Sequence, residues 1–92
     1  MMGGRMEGET KKTLVGRISH YYNKAGVAVV QLSGGLRKGD RISIEGANTN
    51  FTQTVESMQI EHAPIEMAKA GQSIGLKVSG RVHEGDSVFR LE

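Results

Sequence analysis

One stretch of the sequence has the spacing of a hydrolase nucleophile. Gly71-Gln72-Ser73-Ile74-Gly75 matches the Gly-x-Ser-x-Gly pattern, in which the serine sits on a sharp strand-to-helix turn and attacks a carbonyl. Here Ile74, Leu76 and Val78 alternate with polar residues or glycine, which indicates that a strand continues past the serine. The turn that the chemistry requires is therefore missing, and we do not expect Ser73 to be catalytic.

Histidines and acidic residues offer no second catalytic site. His20, His62 and His83 lie far apart in the sequence, and the absence of cysteine excludes thiolate ligands for a structural zinc ion. The acidic residues are scattered, without a convergent pair for acid–base chemistry. The sequence thus predicts a protein that is not an enzyme and has neither a metal site nor a cofactor.

Basic and aromatic side chains are the remaining candidates for a binding site. The net charge of +2 is compatible with contacts to RNA phosphates without requiring them. The tyrosines could stack on a base or on a partner surface. Alternatively, the charges only solvate the exterior, and one tyrosine packs on the rim of the fold. The candidate contact residues are Lys11, Lys12, Arg17, Tyr21, Tyr22, Arg37, Lys38 and Arg41.

Length and composition indicate one small domain. The chain has 92 residues, which is enough for a single core. Its 13 glycines and one proline predict many tight turns and therefore many short strands. No apolar run approaches the roughly 20 residues of a membrane helix, and the N-terminus lacks the apolar run of a signal peptide. The lack of cysteine fits a reducing compartment, so we expect a cytoplasmic protein that does not enter a membrane.

Apolar alternation predicts six strands and no helix longer than a turn or two. The inward face changes parity near Glu56 and Ser57, which a β-bulge would absorb. Residues 1–12 are predicted to be a flexible tail, residues 13–92 the folded domain, and residues 62–71 a long loop. The predicted strands carry residues 14–18, 27–32, 42–44, 51–60, 74–78 and 88–91. Because such strands leave exposed edges unless they close, we expect an all-β, closed antiparallel barrel.

A turn pattern recurs before three of these strands. Each copy places a glycine, which reaches positive φ at little cost, ahead of an Asp or Gln whose side chain can bond the turn backbone. We therefore expect these segments to serve folding rather than chemistry. The copies are Lys38-Gly39-Asp40-Arg41-Ile42, Ala70-Gly71-Gln72-Ser73-Ile74 and Glu84-Gly85-Asp86-Ser87-Val88.

The order of these segments resembles domain 2 of elongation factor Tu and its relatives. The likeness runs through residues 36–46, 55–60, 68–76 and 85–89 and spans roughly residues 13–91. Residues 27–32 and 51–59 are particularly similar to stand-alone translation-factor-like proteins and to the C-terminal accessory domain of collagenase-like peptidases. The resemblance implies a six-stranded Greek-key β-barrel.

The same resemblance implies a non-enzymatic binding module that contacts tRNA, rRNA or a translation component. Its alternative implication is a protein-interaction accessory subunit of a separately encoded enzyme, such as a collagenase-like peptidase homologue. GTP binding by this chain is not expected, because no Gly-x-x-x-x-Gly-Lys-[Ser/Thr] loop is present. The segment between Leu32 and Leu36 looks shorter than in elongation factor Tu, so no residues of its aminoacyl pocket can be transferred.

Overall fold

A computed structural model describes residues 12–92, which form ten β-strands and no helix. The strands are β1 (Lys12–Tyr22), β2 (Val27–Leu32), β3 (Leu36–Arg37), β4 (Arg41–Gly46), β5 (Thr49–Thr54), β6 (Met58–Ile60), β7 (Ala63–Ile65), β8 (Met67–Ala68), β9 (Ser73–Lys77) and β10 (Ser87–Leu91). Every strand pairing is antiparallel. The predicted all-β antiparallel class is therefore confirmed.

Eight strands form one sheet in the order β5-β4-β10-β1-β2-β9-β6-β7, and β3 pairs with β8 in a second, two-stranded sheet. Within residues 12–92 the backbone ladder of the large sheet ends at β5 and at β7. The prediction of a long loop over residues 62–71 is wrong, because β7 and β8 lie there. Their backbone groups find partners in β6 and β3, which is what partly enclosed backbone requires.

Gln53 connects the β5 side of the sheet to the end of β9. Its Nε2 donates a hydrogen bond of 2.8 Å to the Lys77 carbonyl, and its Oε1 accepts one of 2.7 Å from the Ser79 amide. Next to this bridge the Lys77 amide donates to the Ser57 carbonyl at 3.1 Å. One side chain thus satisfies backbone groups where no strand-to-strand ladder runs.

The core between the strands is aliphatic. Its largest fully buried side chains come from seven strands and from the connections between them, and each contributes about 1.5–3 kcal/mol relative to an exposed position. They are Ile18, Leu36, Ile42, Ile44, Met58, Ile74, Leu76, Val15, Val30, Val55, Val82 and Val88. The alternation of Ile42 with Ile44 and of Ile74 with Leu76 is confirmed, because all four side chains are buried. In β2 the buried side chains are those of Ala28, Val30 and Leu32.

The strands depart from the sequence pattern in two places. Alternation puts Leu14 on the same face as Ile18, but Leu14 is 46% exposed while Val15 and Ile18 are buried, since a bulge between Leu14 and Gly16 shifts the register of β1 against β10. Near Glu56 the parity change is real, because Val55 and Met58 are both buried. The chain achieves it by leaving the sheet between β5 and β6 rather than by a bulge within one strand.

The recurring turns are confirmed. Gly39, Gly71 and Gly85 have φ values of 98°, 90° and 92°, as the third position of a type II turn requires. In each turn the side chain directly after the glycine accepts a hydrogen bond from the backbone amide three residues before it. These bonds run from Arg37 N to Asp40 Oδ2 at 2.9 Å, from Lys69 N to Gln72 Oε1 at 2.7 Å and from His83 N to Asp86 Oδ2 at 2.8 Å.

The two ends of the described chain are neighbours in the sheet. Lys12, the first residue of β1, is the register partner of Leu91, the last residue of β10. The predicted tail of residues 1–12 otherwise lies outside the described residues. No helix in residues 12–92 is long and apolar enough to cross a membrane.

Candidate binding groove

A depression lies on the outer face of β2, β9 and β6. Its volume is about 540 Å³, within the usual range of ligand pockets, and we call it the Tyr22 groove. Strand β9 forms its floor and β2 forms one wall. The β6–β7 turn forms the opposite wall, and the β1–β2 turn forms one end. Its lining residues are Tyr22, Ala25, Val27, Val29, Gln59, Glu61, His62, Ser73, Ile74 and Gly75.

A glycine in the middle of β9 creates the floor. Gly75 pairs with Val29 on one side and with Gln59 on the other. A Cβ at this position would lie 3.1 Å from Gln59 Cγ and 3.4 Å from a Val27 methyl, so even an alanine would crowd the trough. Val27 and Val29 are half-buried on the outward face and give the groove an apolar wall. A glycine inside a strand often marks close approach of another group.

The end of the groove is formed by an exposed tyrosine. Tyr22 is 53% exposed, and its ring lies 4.3 Å from the His20 ring, centroid to centroid, at 57°. His20 Nδ1 is in turn 3.3 Å from a Glu84 carboxylate oxygen. Tyr21, by contrast, packs against the core. The two tyrosines therefore face different environments, and only Tyr22 lines the groove.

The wall opposite the valines is a strained turn. Glu61 and His62 have φ values of 50° and 68°, and they link Ile60 to Ala63, which are register partners in the β6–β7 hairpin. Positive φ at both central residues is the geometry of a type I′ turn, which strongly favours Asn-Gly or Gly-Gly. Each left-handed non-glycine residue costs about 1–2 kcal/mol, and such strain concentrates at ligand sites.

Glu61 is the only acidic residue among those lining the groove. Within residues 12–92 no lysine, arginine or histidine lies within ion-pair distance of its carboxylate. No lysine or arginine of the described part of the chain lines the groove either. As far as residues 12–92 define it, the groove therefore combines apolar walls with one carboxylate that has no ion-pair partner.

The predicted basic residues are spread over the surface. Lys12 lies ten residues before Tyr22 along β1, a separation of about 30 Å in an extended strand. Its ammonium is 2.9 Å from Glu45 Oε1 and 4.8 Å from the centre of the Phe89 ring. Lys12 and the tyrosines thus do not form one site, and Lys11 lies outside the described residues.

The other basic candidates divide between two regions. Arg17 is exposed on β1 and lines a shallow depression of about 450 Å³. Arg37 lies in β3, Lys38 in the turn that follows it, and Arg41 at the start of β4, where its Nη2 donates to Thr52 Oγ1 at 3.3 Å. Sequence proximity keeps these three near one another, but none lines the Tyr22 groove.

The Lys12–Glu45 pair has one further partner. Ser43 is buried beneath it, and its hydroxyl donates a hydrogen bond of 2.7 Å to Glu45 Oε2. This hydrogen bond, together with the bond from Lys12, holds the pKa of Glu45 below its ordinary value of 4.5. This arrangement stabilises the fold and pairs the charge of Lys12 with a carboxylate of the same chain.

Two clusters resemble parts of a catalytic site. Ser73 donates a hydrogen bond of 2.6 Å to Gln31 Oε1, so its partner is an amide and not a base. Thr49 Oγ1 and Asp86 Oδ2 lie 2.9 Å and 3.8 Å from the same nitrogen, Nδ1 of His83. A relay needs the nucleophile and the carboxylate on opposite ring nitrogens. Residues 12–92 also contain no cluster of three or more His, Cys, Asp or Glu suited to a metal ion.

Sequence comparison identifies relatives among peptidases. The chain is 40% identical over 83 residues to an uncharacterized protease of Methanocaldococcus jannaschii and 36% identical over 84 residues to a collagenase of Porphyromonas gingivalis. Each match covers 89% of this chain, but only 20% and 23% of the respective relative. The chain thus spans about a fifth of the length of these proteins. No protein-family model matches it.

A solved structure narrows the likeness to one domain. The crystal structure of the C-terminal domain of a protein described as a U32 peptidase, from Geobacillus thermoleovorans, superposes with a TM-score of 0.79 at 26% identity. The match covers 87% of this chain and 92% of that one. This chain is similar to the C-terminal domain of U32 peptidases. The predicted resemblance to collagenase-like peptidases is confirmed, whereas the link to elongation factor domain 2 gains no support from these relatives.

Proposed function

We propose that this chain is a non-catalytic accessory domain that serves a U32-type peptidase by contacting a protein partner. The observation that carries the proposal is the match to 92% of a solved C-terminal domain, together with the small share of each curated relative that the chain spans. A peptidase region and a binding domain would then divide the work, with this chain supplying recognition. The Tyr22 groove is the surface we assign to that contact.

The geometry supports binding more than catalysis. A sheet packed on an aliphatic core gives a rigid frame, and apolar walls with a few polar groups are the usual lining of a recognition site. Ser73 faces an amide, and His83 presents a single nitrogen to both of its partners. We therefore keep the proposal that the chain performs no chemistry.

The translation-related function is the weaker candidate. A phosphate-binding site needs several cations on one surface. Here Lys12 is paired with Glu45, and Arg17 lies in a different depression from the turn that holds Lys38. Contact with tRNA or rRNA is the alternative that co-purification from cells would reveal.

Two finer proposals concern the fold and the compartment. We propose that the Gln53 bridge completes the enclosure of the core, so that the sheet forms a closed barrel like that of elongation factor domain 2. The motivating observation is that Gln53 joins the β5 side of the sheet to the end of β9. We also propose a cytoplasmic location, because a chain without cysteine needs no oxidising environment.

The test is purification of the tagged full chain from its source cells at about 50 mM salt, where phosphate contacts are strongest. We expect a U32-type peptidase to co-purify in a constant ratio that nuclease treatment leaves unchanged. Co-purification of tRNA or rRNA without a peptidase, together with a mobility shift of the same RNA, would favour the translation-related function instead. Peptide hydrolysis by the purified chain that Ser73→Ala abolishes would refute the non-catalytic assignment.

A further inference from the structure

We infer that the Tyr22 groove binds an arginine side chain presented by an extended segment of the partner protein. The assignment of a protein partner rests on the proposed function, whereas the choice of arginine rests on the lining of the groove. Three features select it: an apolar wall, an aromatic ring and a carboxylate that has no ion-pair partner among residues 12–92.

The apolar wall suits the stem of a long basic side chain. Val27 and Val29 are half-buried on the outer face of β2, and Gly75 leaves a trough beside them. Arginine and lysine bury their methylene groups along such surfaces while the charged head reaches toward polar groups. A short polar side chain would leave these valines in water.

The charge of the groove selects a cation. Among residues 12–92, Glu61 is the only acidic residue in the lining, and no arginine or lysine lines the groove beside it. At the groove's end the Nζ of Lys77 donates to the Ala25 carbonyl at 3.5 Å and lies beside Gly26, so its charge already has a partner. A bound carboxylate would meet Glu61 with like charge, and a purely apolar ligand would desolvate it without compensation.

The remaining groups favour a guanidinium over an ammonium. A guanidinium is planar, stacks on aromatic rings and presents five donors in a fixed fork. Tyr22 supplies the ring at the end of the groove. Glu61 and Gln59 supply oxygen acceptors on the side that faces the valines. An ammonium could pair with Glu61, but it has no flat face to place against Tyr22.

The strained turn gives this wall a defined shape. Asn-Gly would form the β6–β7 turn without strain, whereas Glu61 and His62 adopt positive φ and project side chains that line the groove. The chain thus places a carboxylate at a position where turn chemistry alone disfavours it. Folding does not explain why Glu61 stands at this position, whereas ligand binding does.

The experiment is a titration of the isotopically labelled full chain with acetyl-Gly-Arg-Gly-amide, followed by amide NMR shifts. Citrulline replaces arginine in a matched peptide, which keeps the shape of the side chain and removes its charge. We expect saturable shifts at Gln59, Glu61, His62 and Gly75, with the citrulline peptide binding about tenfold more weakly. Equal binding of the two peptides, or shifts confined to another surface, would overturn the inference.

Variants separate the contributions of charge and ring. Glu61→Gln and Tyr22→Ala should each weaken arginine binding by about three- to tenfold. Glu56→Gln, a change at an exposed carboxylate outside the groove, is the matched control and should leave binding unchanged. If Glu61→Gln binds the arginine peptide as well as the parent chain does, the inference is wrong.

The same variants distinguish this inference from the proposed function. If the arginine peptide binds in the groove but no U32-type peptidase co-purifies from cells, the inference stands and the proposed function fails. If the peptidase co-purifies equally with the parent chain and with Glu61→Gln, and the peptide does not bind, the function stands and the inference fails.

Discussion

The carboxamide of Gln53 donates a hydrogen bond of 2.8 Å to the carbonyl of Lys77, across the gap between the end of β5 and the end of β9. Its oxygen also accepts from the Ser79 amide at 2.7 Å. Both partners are backbone groups that no neighbouring strand satisfies at this point. The side chain therefore takes the place of two bonds of a ladder.

Replacing Gln53 by Ala should lower the free energy of unfolding by about 1–3 kcal/mol, because two backbone groups lose their partners. Urea denaturation measures the change. Gln31→Ala is the matched control, since Gln31 is exposed, its oxygen accepts from the Ser73 hydroxyl, and its one bond to the backbone, to the Gly71 carbonyl, is 3.5 Å long. Equal destabilisation by the two substitutions would show that the Gln53 bridge has no special role.

The three type II turns should be intolerant of a side chain for conformational reasons alone. A Cβ at Gly39, Gly71 or Gly85 would meet no atom within 4 Å, so alanine at these positions would be strained only through its positive φ. Each Gly→Ala substitution should cost about 1–2 kcal/mol of stability. Gly35→Ala is the control, because Gly35 has no positive φ and its Cβ would make only an ordinary contact of 3.6 Å. Thermal denaturation that ranks Gly35→Ala with the others would contradict this explanation.

Stability should depend on pH through Glu45. The Ser43 hydroxyl and Lys12 lower the pKa of Glu45 in the folded state, so the ionised form stabilises the fold. This contribution is present above the ordinary value of 4.5 and is lost as the pH falls through the folded-state pKa.

Glu45→Gln should therefore be less stable than the parent chain at about pH 7 and should approach it near about pH 3. Urea denaturation at the two pH values provides the measurement. Glu56→Gln serves as the comparison, because Glu56 makes no hydrogen bond or ion pair with the other side chains of residues 12–92. A gap between Glu45→Gln and the parent chain that stays constant with pH would argue against the Ser43–Glu45–Lys12 arrangement.

A β6–β7 turn without strain should make the fold more stable and the groove a weaker binding site. Replacing Glu61-His62 by Asn-Gly supplies residues that adopt positive φ at low cost and should raise stability by about 1–3 kcal/mol. The same change removes the carboxylate from the Tyr22 groove and should reduce arginine-peptide binding. Calorimetric unfolding and the NMR titration report the two effects separately. A less stable double variant would show that the turn is not strained.

Sequence patterns predicted the strands that bury one face and the turns that precede them. Ile42 and Ile44 alternate strictly with polar neighbours, and Gly39 and Gly85 stand where positive φ is needed, so local signals were enough. The bulge at Leu14 escaped prediction because it depends on how β1 pairs with β10, which are distant in sequence. The short strands β7 and β8 were missed for a different reason, since segments of two or three residues carry no periodicity.

The candidate groove was only partly predictable. Tyr22 was singled out as a contact residue, but the groove also needs Val29, Gly75 and Glu61 from three separate parts of the chain. The available signal was a glycine inside an apolar strand, at Gly75. The basic residues were overestimated, because charge counting does not reveal that Lys12 lies against Glu45.

The pairing of Lys12 with Leu91 places the points at which the backbone enters and leaves this fold on adjacent strands. Adjacent strands lie only about 5 Å apart. A domain with this layout can be inserted into a surface loop of another protein, or joined to it at either end, without separating the two ends of that loop.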